Sequence, residues 1–302
     1  MSNALIIGYG SIGKLHEKIL KKLHCFQKIY IFSSQFINHT KQIKNLYDVR
    51  DLNISYIVIA SPTSFHFKHL NIINQQLKNK KILIEKPLFE SLLKHNLKLR
   101  NKIYVGYDLR FHPIIEKIKN LVKIKKIWSI NIFCGSYMPD WRPGRDYSKT
   151  SSANKKFGGG VLLDLSHEID YLSWIFGKFQ IQYSFNKKKS NLKIDTDDTL
   201  IIISTFKKNI ICNLSLNYYT KKALRQIIID GDNISIFADI FKNELIYYTN
   251  NKKIYLKYKD IKRETTQQSM HKNLLKSNNI ICCDFKEAYK TMKVINEVRN
   301  KK

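Results

Sequence analysis

The sequence predicts an α/β protein in two parts: a doubly wound parallel sheet at the N-terminus, then an α/β domain built on a large, mostly antiparallel open sheet. Three observations carry this. The chain opens with an apolar run, a glycine turn and a helical pattern. Apolar runs then alternate with helical stretches as far as Val105, which is the signature of a parallel sheet covered on both faces. From Gly106 onwards the rhythm changes to long β-type runs separated by turn residues. With 302 residues the chain can form two cores, and the expected domains are 1–106 and 107–302.

In the opening unit, Leu5, Ile6 and Ile7 form the strand, and Gly8, Gly10 and Gly13 follow in G-x-G-x-x-G spacing. Ile12, Leu15, Ile19 and Leu23 then recur at helical intervals. Gly8 allows the turn, Gly10 lets a pyrophosphate approach the backbone, and Gly13 lets the helix pack close on the strand. The helix start, from Ser11 and Ile12 to Gly13, then turns its amides and positive end toward the phosphates. Glycine turns also join strands to helices without any ligand. Here the flanking strand and helix favour a dinucleotide site.

The next strand is Ile29–Phe32, ending at Ser33-Ser34, and a short helix is expected near 39–47. Tyr56–Ala60 is a third strand, stopping at Ser61-Pro62-Thr63, with Ser64 expected to cap a helix that carries Leu70, Ile73 and Leu77. Ile82–Ile84 is a fourth, closing at Glu85-Lys86-Pro87. Ser91 is expected to open a helix through Leu92, Leu93 and Leu97, before a fifth strand at Ile103–Val105. Ligands of such sheets gather at the carboxyl ends of the strands, where Gly10, Ser33, Ser61 and Lys86 all fall.

Ser33 and Ser34 bear on the cofactor. Proteins restricted to NAD usually carry an acid about 20 residues beyond the glycines, for the ribose 2′-hydroxyl. Two serines stand there instead, and the next acid downstream is Asp48. This favours NADP, with Lys41 or Lys44 as 2′-phosphate partners. No neighbouring arginine supports it, and NAD remains the alternative.

In the second part, a helix is expected over Pro113–Val122, a strand over Ile124–Tyr137 and a helix over Asp164–Phe176. Strands are expected at 180–186, 198–206, 210–219, 225–230, 233–239, 244–249 and 253–258, punctuated by Asn209, Asp230–Asn233 and Asn250-Asn251. Helices at about 264–278 and 284–300 close the chain.

Composition narrows the classes. Lys+Arg 53 against Asp+Glu 24 gives a net charge of +29. The lysines are spread along the whole chain and no nucleic-acid-binding signature accompanies them. The excess therefore reads as a compositional habit that also favours anionic substrates. Five cysteines without C-x-x-C spacing suit reduced thiols and no metal site. No run approaches the ~18 apolar residues that span a membrane, and no targeting segment is expected ahead of the first strand. A cytoplasmic protein with neither nucleic-acid nor membrane partners is expected.

Three clusters carry chemistry. Lys86 at a strand end can place an ammonium beside a reacting oxygen and favour an alkoxide, although Lys-Pro pairs are usually surface turns. In Gly158-Gly159-Gly160-Val161-Leu162-Leu163-Asp164-Leu165-Ser166-His167-Glu168-Ile169-Asp170, one continuous helix would put Asp164 and His167 on one face. That pair suits acid–base chemistry near neutral pH, or else Asp164 is only a helix cap and His167 a surface histidine. Asp170 is read as structural. The loop from Tyr137 to Tyr147 holds Trp141, Arg142, Arg145 and Tyr147. Its arginine forks match carboxylate or phosphate oxygens, or fasten the loop through Arg–Asp pairs.

Together these residues resemble the Gfo/Idh/MocA oxidoreductases. The resemblance rests on Gly8-Tyr9-Gly10-Ser11-Ile12-Gly13, on Ser61-Pro62-Thr63 with His66, and on Glu85-Lys86-Pro87. It continues through Gly106-Tyr107-Asp108-Leu109-Arg110-Phe111-His112-Pro113 to the glycine-Asp-His segment, spanning residues 1 to about 177. It implies a Rossmann domain, a C-terminal open-sheet domain, and a homodimer or homotetramer packed through that sheet. It also implies NAD(P)-dependent hydride transfer at a sugar or polyol carbon. Ser61, Pro62, Thr63, His66 and Glu85 would then serve the cofactor, Arg110 the substrate, and Lys86, Asp164 and His167 catalysis. Two residues separate Asp164 from His167 where the family usually has three.

The expected activity is therefore a sugar dehydrogenase or reductase. Its expected substrate is an acidic or nucleotide-linked sugar of surface-glycan biosynthesis. The alternative is a non-catalytic NAD(P)-binding regulatory or scaffold protein, which would not need the lysine, acid and histidine together.

Overall fold

The computed structural model describes residues 1–35, 37, 41–92, 98–276 and 281–301, the side chain of Lys208 excepted. They divide into two compact units, Met1–Asp108 with Arg263–Met292, and Leu109–Lys262 with Lys293–Lys302. The chain therefore returns to the first unit late, which a single cut at residue 106 does not express.

The apolar runs of the first unit become strands β1 (Asn3–Ile7), β2 (Ile29–Phe32), β3 (Gln42–Ile43), β4 (Ile54–Ile59), β5 (Lys81–Ile84) and β6 (Lys102–Val105). They lie side by side in the order β6-β5-β4-β1-β2-β3, all parallel. The order reverses at β1: the chain leaves it through β2 and β3, then returns on its other side as β4. Such a reversal opens a crevice at the carboxyl ends of the two strands flanking it. Ile6, Ile7, Ile57, Val58, Ile59 and Leu83 are wholly enclosed, because helices cover both faces of a parallel sheet. Helix α1 (Ser11–Leu23) follows the glycine turn and buries Ile19, Leu20 and Leu23, while α2 (His66–Gln76) buries Leu70 and Ile73.

Two expectations change here, and a third falls mostly outside the described residues. The segment expected to be helical near 39–47 supplies β3 and then a 3-10 turn, Leu46–Asp51. The buried Leu46 and Val49 are spaced as on a helix, but the Asn45 side chain accepts from the Tyr47 amide (3.0 Å) and starts the tighter turn. Ser64 caps nothing, because a 3-10 turn over Thr63–Phe65 precedes α2 and puts Phe65 at its entry. Leu93 and Leu97 of the helix expected after Ser91 lie outside the described residues.

The second unit begins with α3 (Pro113–Val122). Proline occupies its first turn, and His112 Nδ1 accepts from the Ile114 amide (3.3 Å). After β7 (Ile127–Gly135) come α4 (Val161–Asp164), α5 (His167–Phe176), β8 (Gln180–Lys187), β9 (Thr199–Phe206) and β10 (Ile210–Asn217). Then follow β11 (Leu224–Gly231), β12 (Ile234–Asp239), β13 (Glu244–Thr249) and β14 (Lys252–Lys257). The eight strands form one sheet, β14-β13-β12-β11-β7-β10-β9-β8, antiparallel except for β7 beside β10. Asparagines take the left-handed turn positions: Asn250 and Asn251, with φ of 49° and 58°, form the two-residue turn between β13 and β14.

One face of this sheet is buried by the helices of its unit. The other carries a cross-strand row that includes Tyr183, Ile203, Ile228, Phe237, Ile246 and Tyr255. Within it Tyr183, Ile203, Phe237 and Tyr255 are 42–54% exposed.

The chain ends with α6 (Arg263–Lys276), β15 (Cys283–Asp284) and α7 (Phe285–Asn300). In the first unit, β15 pairs antiparallel with the outer edge of β6, and α6 lies on α1, where Glu264 meets Lys18 and Lys22 at 2.6 and 2.5 Å. Among the described residues no helix is long and apolar enough to cross a membrane.

Candidate active site

The glycine turn sits at the strand-order reversal. Gly8 donates to the Phe32 carbonyl at the end of β2, and Ala60, just after β4, donates to Ile7. At φ +94°, a Cβ on Gly8 would lie 2.5 Å from the Ser61 nitrogen. On Gly13 it would lie 2.1 Å from the Gly8 carbonyl oxygen. Gly10 is the opposite case, with nothing within 4 Å of its Cβ position, and no side chain caps the helix that starts there. Two glycines are thus required by close packing, while the third faces open space beside uncapped amides. That is a cradle into which a pyrophosphate fits, so the residues present suit the dinucleotide.

At the ribose end, Ser33 is half-buried and Ser34 exposed. Ser33 Oγ accepts from the Gln35 amide (3.1 Å), and Gln42 Nε2 donates to the Gln35 carbonyl (3.1 Å), stitching this loop to β3. The register pairs Ile31 with Gln42 and Phe32 with Ile43, so Lys44 follows level with Ser33. Lys41 belongs instead to a groove it lines with Lys21, His24 and Lys28, toward the start of β2. Of the two lysines expected near a 2′-phosphate, only Lys44 lies at the carboxyl end.

After β4, Pro62 is exposed and Thr63 half-buried. Ser61 Oγ and His69 Nδ1 are hydrogen-bonded at 2.9 Å, and burial, with His66 and Lys68 nearby, lowers the pKa of His69 to about 4. His66, expected to serve the cofactor, is 1% exposed. Its Nε2 meets the Ser61 carbonyl at 2.9 Å, and its Nδ1 meets the Pro87 carbonyl at 3.0 Å. Its ring is therefore enclosed between the loop after β4 and the loop after β5, a packing position rather than an exposed ligand contact.

Glu85 and Lys86 leave the end of β5, where the Glu85 amide donates to the Ile59 carbonyl (2.8 Å). The Glu85 carboxylate turns inward, while Lys86 is half-exposed. Burial alone would raise the Glu85 pKa, but the His16 hydrogen bond (2.9 Å) and the charges of His16, Arg263 and Lys86 bring it down to about 2. Lys86 thus stands at the same edge of the sheet as the glycine turn, beside a fixed negative charge.

In the second unit, the helix expected from Asp164 starts three residues earlier and is broken. Asp197 initiates α4, its backbone carbonyl accepting from Val161 (3.0 Å) and its carboxylate from Leu162 (2.9 Å). A Cβ on Gly160 would reach within 2.2 Å of that carboxylate. Ser166 Oγ then donates to the Leu163 carbonyl (2.8 Å), and α5 begins afresh at His167. Asp164 ends one helix and His167 starts the next, so the shared helical face expected for them does not exist.

The position of Asp164 is set by Tyr218, whose hydroxyl donates to Asp164 Oδ2 at 2.8 Å. Tyr218 follows β10 and is fully buried, and the Trp141 ring stands edge-on to it with centroids 5.0 Å apart. The structure thus brings Trp141 of the predicted ligand loop up to the Asp164 cluster. Tyr218 was not legible as a site residue, since nothing in a strand-end Tyr-Tyr pair signals a carboxylate 54 residues away.

Helix α5 is held by two buried two-pronged ion pairs. Arg110 donates to Asp170 through Nε (2.8 Å) and Nη2 (2.7 Å), and Arg225 to Glu168 through Nε (2.6 Å) and Nη2 (3.0 Å). Arg110, expected to touch substrate, is only 2% exposed and also lies over the Trp174 ring. It is corrected to an anchor of α5, which agrees with the structural reading of Asp170. In the loop, Arg142 and Arg145 are exposed, and Asp146 caps its own turn by accepting from Ser148 rather than from an arginine. The Tyr147 hydroxyl accepts from the Lys193 amide (3.0 Å). Among the described residues no cluster of His, Cys, Asp and Glu could hold a metal ion.

Comparison with known proteins adds three likenesses. The chain is 30% identical over 194 residues to the uncharacterized oxidoreductase YrbE of Bacillus subtilis, covering 57% of this chain and 53% of YrbE, so it spans about half that relative's length. In fold it is similar to levoglucosan dehydrogenase solved with NADH, at TM-score 0.80 and 15% identity over 99% of this chain and 96% of that one. It is also similar to UDP-N-acetylglucosamine 3-dehydrogenase GnnA from Acidithiobacillus ferrooxidans, at TM-score 0.76 and 15% identity, covering 98% and 96%. An oxidoreductase-family model for an NAD-binding Rossmann fold matches residues 2–96, and the model for the same family's C-terminal alpha/beta domain matches residues 117–302. With both models matched in order, the chain belongs to the Gfo/Idh/MocA oxidoreductase family.

Proposed function

We propose that this protein is an NAD(P)-dependent oxidoreductase acting between a hydroxyl and a keto group on a sugar carbon. The observation that carries the reading is the carboxyl edge of the first sheet, where an open glycine cradle leaves β1 and Lys86 leaves β5, with β4 between them. Gly8, Gly10, Ser11, Ile12 and Gly13 would hold the pyrophosphate, with Ser33, Ser34 and Lys44 at the ribose. A bound nicotinamide supplies hydride acceptance or donation.

The chain's own groups manage the proton and the charge. In the oxidative direction His167 takes the proton of the substrate hydroxyl, and the Lys86 ammonium stabilises the oxygen as negative charge develops on it. Asp164, oriented by Tyr218, balances the charge that His167 acquires. In the reductive direction the same groups give the proton back. Exposed Arg142 and Arg145, with Trp141 beside the Asp164 cluster, support a sugar carrying a carboxylate or a nucleotide diphosphate. Two fold relatives whose names specify levoglucosan and UDP-N-acetylglucosamine support the sugar class.

The absence of an acid after β2 and the position of Lys44 support NADP over NAD. The exposed aromatic and aliphatic side chains on either side of Asn213 and Asn131 in the row on the open sheet support a homodimer or homotetramer assembled through that face.

The test is a screen of sugar acids and nucleotide sugars with each nicotinamide cofactor, read by absorbance of the reduced form. Turnover with an anionic sugar, and tighter binding of NADPH than NADH, are expected. Binding of cofactor with no turnover across the screen would favour a non-catalytic protein.

A further inference from the structure

Three buried side chains that the proposed reaction does not use connect to one that flanks it. Tyr56 of β4, His271 of α6 and His16 of α1 are each no more than 1% exposed. Tyr56 OH lies 2.9 Å from His271 Nδ1, His271 Nε2 lies 2.8 Å from His16 Nδ1, and His16 Nε2 lies 2.9 Å from Glu85 Oε1. The two imidazoles cross almost at right angles, at 84°, so that each nitrogen points at the next group.

The carboxylate sets the first step of the chain, and the His271 tautomer sets the rest. The ionised Glu85 can only accept, so His16 Nε2 carries the donating proton. Burial, and His16 beside it, keep His271 neutral by pushing its pKa well down, so it has one ring proton. If that proton is on Nε2, it serves His16 Nδ1, and His271 Nδ1 then accepts from Tyr56 O–H. Every contact is then satisfied. A reversed chain would need His16 protonated on both nitrogens.

The far end is also built around the carboxylate. Gln267 Nε2 approaches Glu85 Oε1 at 3.5 Å, and a Cβ on Gly106 would come within 3.2 Å of the same oxygen. Lys86 and Arg263 are the cations whose charge Glu85 feels in addition. Helix α6 thus returns from the far end of the sequence to complete a polar chain at the turn that carries the lysine.

We propose that the Tyr56–His271–His16 donor chain fixes the Glu85 carboxylate and thereby the direction of the adjoining Lys86, which makes His16 and His271 positioning residues for the lysine's step. This rests on the reading of Lys86 given above. Groups locked by a satisfied buried network hold a reacting side chain within a fraction of an ångström of its working position.

The test begins with the whole protein labelled with 15N-histidine. The ring shifts should show a proton on Nε2 of both His16 and His271 and none on Nδ1 of His271, with slowly exchanging ring protons. A His271 ring protonated on Nδ1, or two rings that exchange and titrate as surface histidines do, would overturn the chain. Next come His271→Leu, which cannot donate, and His271→Gln, which can donate to His16 and accept from Tyr56. His271→Leu should lose between about ten- and a hundredfold in kcat, with cofactor affinity changed by less than about threefold, and His271→Gln should recover most of the loss. Equal losses in both variants, or none in either, would overturn the positioning role. An unaltered protein with no turnover would contradict the reading of Lys86 and leave the ring-proton result to decide the chain.

Discussion

Gly13 stands so close to Gly8 that a Cβ at position 13 would lie 2.1 Å from the Gly8 carbonyl oxygen, whereas at Gly10 the same atom would meet nothing within 4 Å. The motif therefore contains two kinds of glycine. Gly13→Ala must move backbone and should destabilise the ligand-free protein by roughly 1–3 kcal/mol, seen as a lower Tm. Gly10→Val should leave that Tm nearly unchanged and weaken cofactor binding. Equal Tm losses in both would contradict the assignment of Gly10 to the ligand.

The Arg110–Asp170 pair makes a prediction opposite to the one its sequence context suggests. Because both side chains are buried and joined by two hydrogen bonds, Asp170→Asn leaves a buried guanidinium poorly compensated. The cost should be about 3–5 kcal/mol in urea unfolding. An Arg110→Ala protein that folds normally but shows a raised KM for sugar would restore Arg110 to the substrate site.

Acid should weaken the fold in two overlapping stages. Burial lowers the pKa of His69 and of His112 from an ordinary 6.5 to about 4, so both favour the folded state while neutral. Their contribution is complete above pH 6.5 and is lost as pH falls through 4. The Glu85 pKa, lowered from 4.5 to about 2, adds stability that is complete above pH 4.5 and is lost as pH falls toward 2. Urea midpoints between pH 7 and 3 should fall throughout, and the Glu85→Gln protein should lose less than the parent below pH 4.5. A midpoint independent of pH over this range would contradict both assignments.

The open sheet face offers a further prediction. Phe237→Asp and Ile203→Asp place charges within the exposed row without entering the core. Light scattering after size exclusion should report monomers for both variants and a dimer or tetramer for the parent. A monomeric parent would remove the role proposed for this face.

Much of this architecture was legible locally. Apolar runs bounded by turn residues located β1, β2, β4, β5 and β6, and the asparagine turns marked the hairpins, because strand burial and left-handed turns leave signals within a few residues. Partners far apart in sequence left none. Arg110 and Asp170 are 60 residues apart, Arg225 and Glu168 are 57 apart, and His271 meets His16 across 255. Periodicity shows that a residue is buried or exposed, never which charge it meets. The break between Asp164 and His167 was hidden for a related reason: apolar spacing continues through it, and the hydroxyl of Ser166 bonded to Leu163 interrupts the helix.

The central claim is that Lys86 and His167 conduct the proton and charge of a hydride transfer. Its most direct test is single-turnover kinetics of Lys86→Met and His167→Ala with the sugar found by screening. Both proteins should bind the nicotinamide cofactor as the parent does and lose about two to four orders of magnitude in the rate of hydride transfer. Near-parental rates in both would contradict the account.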